Sequence, residues 1–182
     1  WLMHDRNRFD LVRFDIATGE VDWHLSANDD SMSDFVFLSD DARWTGGHHV
    51  TQLSNGDIML FDNRGCDGDN SFLDGDYSRA IRLSLDMNSM EVDLVWEYSG
   101  SGNPTTPYSS VHGSVYPIAI DDEGEEDHYL VTFSNPFSQN ADVVIADANG
   151  EQVKVFSWES AMYRATPMGV GTFGERAVDT PR

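Results

Sequence analysis

Two histidines, His48 and His112, hold matching places, each directly ahead of two short apolar runs joined by a turn. A neutral imidazole is a good nucleophile near pH 7, and covalent attack splits one difficult transfer into two easier steps. Arg79 and Arg164 each follow a long loop or a closing strand. Guanidinium is the side chain suited to a tetrahedral oxyanion such as sulfate or phosphate. His49 follows His48 directly, so strand alternation should turn it to the opposite face, toward packing or a supporting role. The plainer alternatives are histidines satisfied at strand starts and arginines that balance an acidic surface.

The elements that must position these groups read as β nearly throughout. Short runs rich in Val, Ile, Leu, Phe and Tyr are separated by Asn, Asp and Gly turns. Asn55-Gly56 between two apolar stretches is the strongest short-range hairpin signal, and Asn149-Gly150 repeats it. A hairpin opening on Asp and closing on Trp occurs three times: Asp15 to Trp23, Asp86 to Trp96, Asp147 to Trp158. A second hairpin type, behind His48 and behind His112, precedes the last two. Two hairpins make a four-stranded antiparallel unit, and its recurrence predicts a β-propeller. The chain is one propeller fragment spanning 1–182, with blade parts at about 1–45, 46–100 and 108–165. The alternative is a sandwich of similar hairpins. In a propeller the first strand of each blade lines the channel, so His48 and His112 should converge there, with Arg79 and Arg164 at its mouth. The closing tryptophans lie 73 and 62 residues apart, more than the usual ~40–50 per blade. The excess sits in loops at 64–77 and 99–110, and long loops tend to carry function.

The 182 residues hold 11 Lys+Arg against 32 Asp+Glu, a net charge of −21. Such a chain repels phosphates, which argues against nucleic acid as a partner. With 40% hydrophobic residues it can build a core, and no apolar run approaches the ~20 residues of a membrane span. Ten of the eleven basic residues are Arg, which suits a salty setting or an ordinary acidic surface. Cys66 is the single cysteine, so neither an internal disulfide nor a thiolate zinc cluster can form. The carboxylates of the 64–77 loop could gather calcium, but the loop lacks the glycine and closing Glu of an EF-hand and reads better as solvated. The chain opens on Trp1 without a signal-peptide pattern and reads as a fragment or processed form.

Gly46-Gly47-His48-His49-Val50 through Leu53-Ser54-Asn55-Gly56-Asp57 to Leu60-Phe61-Asp62-Asn63 resembles the signature of the bacterial-type arylsulfotransferases. Thr18-Gly19-Glu20-Val21-Asp22-Trp23, Tyr77-Ser78-Arg79-Ala80, Val95-Trp96-Glu97-Tyr98 and Tyr163-Arg164-Ala165 continue it in order, over about residues 5 to 168. The resemblance implies a six-bladed propeller, of which this chain is about half. It implies transfer of a sulfuryl group between phenols through a sulfohistidine, with neither a nucleotide sulfate donor nor a cofactor or metal. The implied partners are small phenolic substrates and the implied location is periplasmic or extracellular. His48 falls on the motif histidine, with Gly47 and His49 in place of the usual Gln and Asp. Arg79 falls on the Ser-Arg position, and Asn63 closes the Leu-Phe-Asp-Asn run as a support. The role of His112 rests on the repeat alone, and a histidine the family supplies from an earlier blade would precede Trp1. Tyr108, Tyr163 and Trp44 could form aromatic walls for the phenol. Two other readings remain open. Asp15-x-x-Thr18-Gly19-x-x-x-Trp23 matches a docking motif of quinoprotein propellers, though only once and without their adjacent cysteines. The other is a non-catalytic propeller that binds a ligand or protein. Donor, acceptor and oligomeric state are left open.

Overall fold

The computed structural model describes residues 1–64, 77–100, 109, 111–118, 127–135 and 140–167. Tyr108 and the 65–76 stretch of the acidic loop lie outside them. The described residues are all-β. A first sheet joins β1 (Leu2–Asp5), β2 (Asp10–Phe14) and β3 (Val21–Ser26). The second is built on β5 (His48–Gln52), β6 (Ile58–Asp62), β7 (Arg79–Asp86) and β8 (Glu91–Tyr98), each antiparallel to its predecessor. The third repeats that meander with β9 (Ser114–Ile118), β10 (His128–Asn135), β11 (Asn140–Asp147) and β12 (Gln152–Trp158). None of the three sheets is closed. One element was not foreseen: β4 (Val36–Phe37), from the segment before the second sheet, pairs parallel with β8 at its edge. Among the described residues the one helical turn is a 3-10 turn at Asp40–Ala42, capped by Ser39, whose side chain accepts from the Asp41 N–H. No helix there is long and apolar enough to cross a membrane.

The turns form for local reasons. Asp15 Oδ1 accepts the N–H groups of Ala17 (2.7 Å) and Thr18 (2.9 Å). Asp86 does the same for Asn88 and Ser89, and Asp147 for Asn149 and Glu151. These bonds hold all three carboxyls below the ordinary Asp range and explain why each outer hairpin opens on Asp. Gly56 sits at φ 97°, in the left-handed region the Asn55-Gly56 turn requires.

The second sheet is covered on both sides. Ile58 and Leu60 pack with Leu11, Trp23 and Leu25 of the first sheet. Met59 and Phe61 pack with Val115, Tyr129, Val131 and Phe133 of the third. All five β6 residues are therefore buried, which is why this strand is a continuous apolar run rather than an alternating one. Each fully buried Ile, Leu or Phe here contributes roughly 1.5–3 kcal/mol.

The three closing tryptophans are not equivalent. Trp23 pairs with Arg13, Trp96 with Arg82 and Trp158 with Ala141. These positions lie progressively farther from the turn Asp, two residues at a time. The even step keeps all three on the same side of their sheets. Repeat by spacing thus had the face right and the position wrong.

Candidate active site

The site gathers where β5 begins and β9 begins. Gly47 packs so closely that a Cβ there would come 3.1 Å from Trp44 and 3.2 Å from Leu60. That accounts for glycine at the position where the resembling signature carries Gln. The chain then enters β5 through a bulge: His48 pairs with Phe61 but Thr51 with Met59, and His49 takes φ 51°. Simple alternation does not hold here; the bulge aims the two histidines separately.

His48 is half-buried. Its Nδ1 lies 2.5 Å from Asn63 Oδ1 and 3.1 Å from the Gly46 carbonyl. Asn63, fully buried, donates its amide to the carbonyls of His112 (2.8 Å) and Ser109. With Nδ2 committed to two carbonyls, Oδ1 must face His48, and both neighbours of His48 Nδ1 are acceptors. His48 therefore carries its proton on Nδ1 and its lone pair on Nε2 when neutral. Burial lowers its pKa against the pull of the Asn63 bond, and the positive charge of Arg6 lowers it further. The ring is neutral near pH 7, as a nucleophile must be.

His49 is held in the opposite tautomer. Its Nδ1 accepts the Val115 N–H at 3.4 Å, and its ring lies 4.1 Å from that of Tyr116. Burial, then the charge of Arg164, lowers its pKa. When neutral it keeps its proton on Nε2, so it meets the third sheet and offers a donor rather than a lone pair.

His112 stands two residues before β9. Asn63 Nδ2 and the Ser109 hydroxyl (2.9 Å) hold its carbonyl. Ser109 is itself fixed by Ser78, whose hydroxyl accepts the Ser109 N–H at 2.9 Å. Gly113, at φ 129°, follows because any Cβ there would run into the Phe61 ring. The His112 ring meets Tyr163 edge-on with centroids 5.1 Å apart, and its Nδ1 is buried with no hydrogen-bond partner among the described residues. Tyr163 and Arg164 are brought over β9 and β10 by two backbone bonds. These run from Met162 N–H to Ser134 Oγ (2.9 Å) and from Ala165 N–H to Thr132 Oγ1 (3.0 Å).

Two expected residues stand elsewhere. Arg79 is buried with Asp62, not displayed at a mouth: its Nε donates to Asp62 Oδ2 at 2.9 Å and Nη1 to Glu97 at 2.7 Å. Nη2 donates to the carbonyls of Asp41 and Arg43, both at 2.8 Å. Four of its five N–H groups are thus engaged by protein. Trp44 is fully buried in the core between the first two sheets and packs on Phe37, so it forms no open wall.

Two residues were missed. His4 of β1 lies with Nε2 3.5 Å from where a Gly47 Cβ would be, buried and without a hydrogen-bond partner among the described residues. Burial and the neighbouring His48 push its pKa down to about 4. Arg6 supplies the positive charge felt by both His4 and His48. No local pattern marks either one; they arrive because the first sheet packs on β5.

Compared with known families, residues 3–168 match the model of the arylsulfotransferases (ASST). The chain belongs to the arylsulfotransferase family. No curated protein matches it. The matched span takes in the three sheets, Leu2 apart, together with His4, Arg6, His48, Asn63 and His112.

Proposed function

We propose that this arylsulfotransferase moves a sulfuryl group from a phenolic sulfate ester to a phenol through a sulfohistidine on His48. No nucleotide sulfate donor takes part. The observation that carries the reading is Asn63, which fixes the His48 tautomer and holds the His112 backbone at once. The three sheets are read as about half of a six-bladed propeller, with β5 and β9 toward its channel. The proposed compartment is the periplasm or the exterior, by family resemblance.

In the first half-reaction the Nε2 lone pair attacks sulfur. The sulfur–oxygen bond to the aryl group breaks and the phenolate leaves with the electron pair. The sulfated imidazole keeps its proton on Nδ1, where Asn63 Oδ1 and the Gly46 carbonyl stabilise the growing positive charge. The charge of Arg6 favours the anionic donor and opposes premature protonation of His48. In the second half-reaction the acceptor phenol oxygen attacks sulfur, gives up its proton, and the nitrogen–sulfur bond returns its pair to Nε2. In this reading His112 takes that proton, and Tyr163 beside it offers the phenol an aromatic face. Arg79 acts as a positioning residue that ties the β6–β8 strands to the 41–43 segment.

The test is brief reaction with 4-nitrophenyl sulfate alone, then a neutral or alkaline digest and mass spectrometry. A sulfuryl group on His48, absent in His48→Ala, together with nitrophenol release that depends on an added phenol, is the expected result. A label on His112 would exchange the two histidine roles. No label and no acceptor-dependent release across many phenols would overturn the transfer reading.

A further inference from the structure

Acid outnumbers base 32 to 11 in this chain, and the arginines are placed accordingly. Arg8, Arg13, Arg43, Arg64, Arg79 and Arg82 each stand 3.6 Å or less from a carboxylate oxygen. Arg164 is seated differently. Its guanidinium lies over the Tyr163 ring, 4.7 Å from the centroid, and no carboxylate pairs with it among the described residues. An aromatic face attracts a cation without neutralising it. Burial disfavours the charge, but the Tyr163 and Tyr116 hydroxyl oxygens beside it outweigh that and raise its pKa.

The position is fixed by contacts already in place. The bonds from the Met162 and Ala165 N–H groups to β10 bracket Tyr163 and Arg164. Tyr163 also meets the His112 ring edge-on, with centroids 5.1 Å apart, so His112 and Arg164 share one tyrosine. The Tyr116 ring lies 4.1 Å from that of His49, and its hydroxyl is 3.4 Å from Thr166 Oγ1, two residues beyond Arg164. His49 feels the charge of Arg164 and offers a neutral donor on Nε2. A guanidinium, an imidazole N–H and phenolic hydroxyls thus gather next to His112. Such a set of donors suits a carboxylate, which the planar guanidinium takes through two parallel bonds.

We propose that Arg164 is a specificity-determining residue that selects acceptor phenols carrying a carboxylate on the ring, away from the hydroxyl. This rests on the transfer reading above, in which His112 takes the acceptor's proton. Arg164 stands one tyrosine ring from His112, about the span of a phenol with a substituent opposite its hydroxyl. Binding the carboxylate at Arg164 therefore presents the hydroxyl to His112. The chain's charge of −21 repels an anion elsewhere, so a cation beside the site decides how such an acceptor enters.

The test compares 4-hydroxybenzoate with its uncharged near-isostere 4-hydroxybenzamide as acceptors, with 4-nitrophenyl sulfate as donor. The readout is the ratio of their kcat/KM values. The parent should favour the carboxylate about 10-fold, the scale of a hydrogen bond to a charged group. Arg164→Gln should bring the ratio to about one through the KM of the carboxylate, and Arg164→Lys should keep part of it, having charge without the fork. A ratio that Arg164→Gln leaves unchanged overturns the proposal. So does an equal fall in Arg13→Gln, which removes the same charge from the first sheet, since the preference would then come from the whole molecule. Equal losses with both acceptors, together with a slower nitrophenol burst before acceptor is added, would put Arg164 on the sulfuryl group and overturn selection. Calorimetric binding of the two acceptors without donor gives a readout independent of transfer, again about 10-fold in the parent and level in Arg164→Gln. That binding pattern without any transfer removes the enzymatic reading alone. Transfer with a ratio indifferent to Arg164 removes the selection alone, and no preference in either assay overturns it as well.

Discussion

Arg79→Met separates a positioning arginine from one that touches substrate. In the folded protein the guanidinium is 1% exposed and its Asp62 partner is fully buried. Removing one member of such a pair leaves a buried carboxylate with only Arg64, 3.6 Å away, to offset its charge, at a cost of about 3–5 kcal/mol. The carbonyls of Asp41 and Arg43 lose their donor as well. Against a total stability of roughly 5–15 kcal/mol this is a large fraction. With a urea slope of about 2 kcal/mol/M, a loss of about 4 kcal/mol moves the midpoint down by about 2 M. The double variant Asp62→Leu with Arg79→Met removes both charges and should recover part of that loss, less what Arg64, 3.6 Å from Asp62, and the Thr45 N–H lose with the carboxylate. Burial already pushes the Asp62 carboxyl up, and Arg79 is the main pull in the other direction. Without Arg79 the carboxyl rises further, so the folded state holds a proton that the unfolded chain releases above the ordinary Asp range. Stability relative to the parent then falls as pH rises, and the deficit shrinks toward pH 4. Turnover of 4-nitrophenyl sulfate per folded molecule should stay within a few-fold, whereas loss of a donor to the sulfuryl oxygens would cost about 10²–10³. An Arg79→Met protein with an unchanged urea midpoint and a hundredfold lower kcat would refute the reasoning.

Two further outcomes follow from the same site. His4, depressed from 6.5 to about 4, is protonated in the unfolded chain before the folded one, so stability is lost as pH falls from 6.5 toward 4. The loss is about 3 kcal/mol, and His4→Phe should flatten the urea midpoint over that window; an unchanged slope would mean His4 is not the group responsible. Asn63→Asp keeps an acceptor at His48 but adds a negative charge and removes both amide donors. The acid limb of the donor half-reaction should move to higher pH, and stability should drop by about 0.5–1.5 kcal/mol for each amide hydrogen bond lost, the Ser109 and Ser78 hydroxyls still donating to the two carbonyls. A pH–rate profile identical to the parent would remove Asn63 from the control of His48.

Hairpins are local objects, and they were legible. Asp15, Asp86 and Asp147 each close a turn on the next few N–H groups, so the pattern that announces the turn is also the set of atoms that makes it. The apolar run at Ile58–Phe61 likewise declared a strand, since only burial on both faces tolerates it. His48 and Asn63 could be singled out because they lie on one hairpin, fifteen residues apart in sequence and hydrogen-bonded across it. The fate of Arg79 could not be seen. Whether a guanidinium faces a ligand or a buried carboxylate depends on Asp41, Arg43 and Glu97, which the 41–43 segment and β8 deliver from far apart in the sequence. Trp44 was ambiguous for the same reason: an aromatic residue suits a wall or a core equally until the first sheet closes over it.

The amino-acid sequence by itself determined the strands, the turns, the surplus of acid and the residue types able to carry a sulfuryl group. Only the tertiary structure decided which nitrogen of His48 holds the proton, because that follows from Asn63 having spent its amide on carbonyls 46 and 49 residues away. It also decided that His4 and Arg6 join the site and that Arg79 leaves it. Local propensity acts through neighbours along the chain, whereas charge, burial and tautomer answer to whatever is packed within a few ångströms in space, and that is set only when the sheets meet.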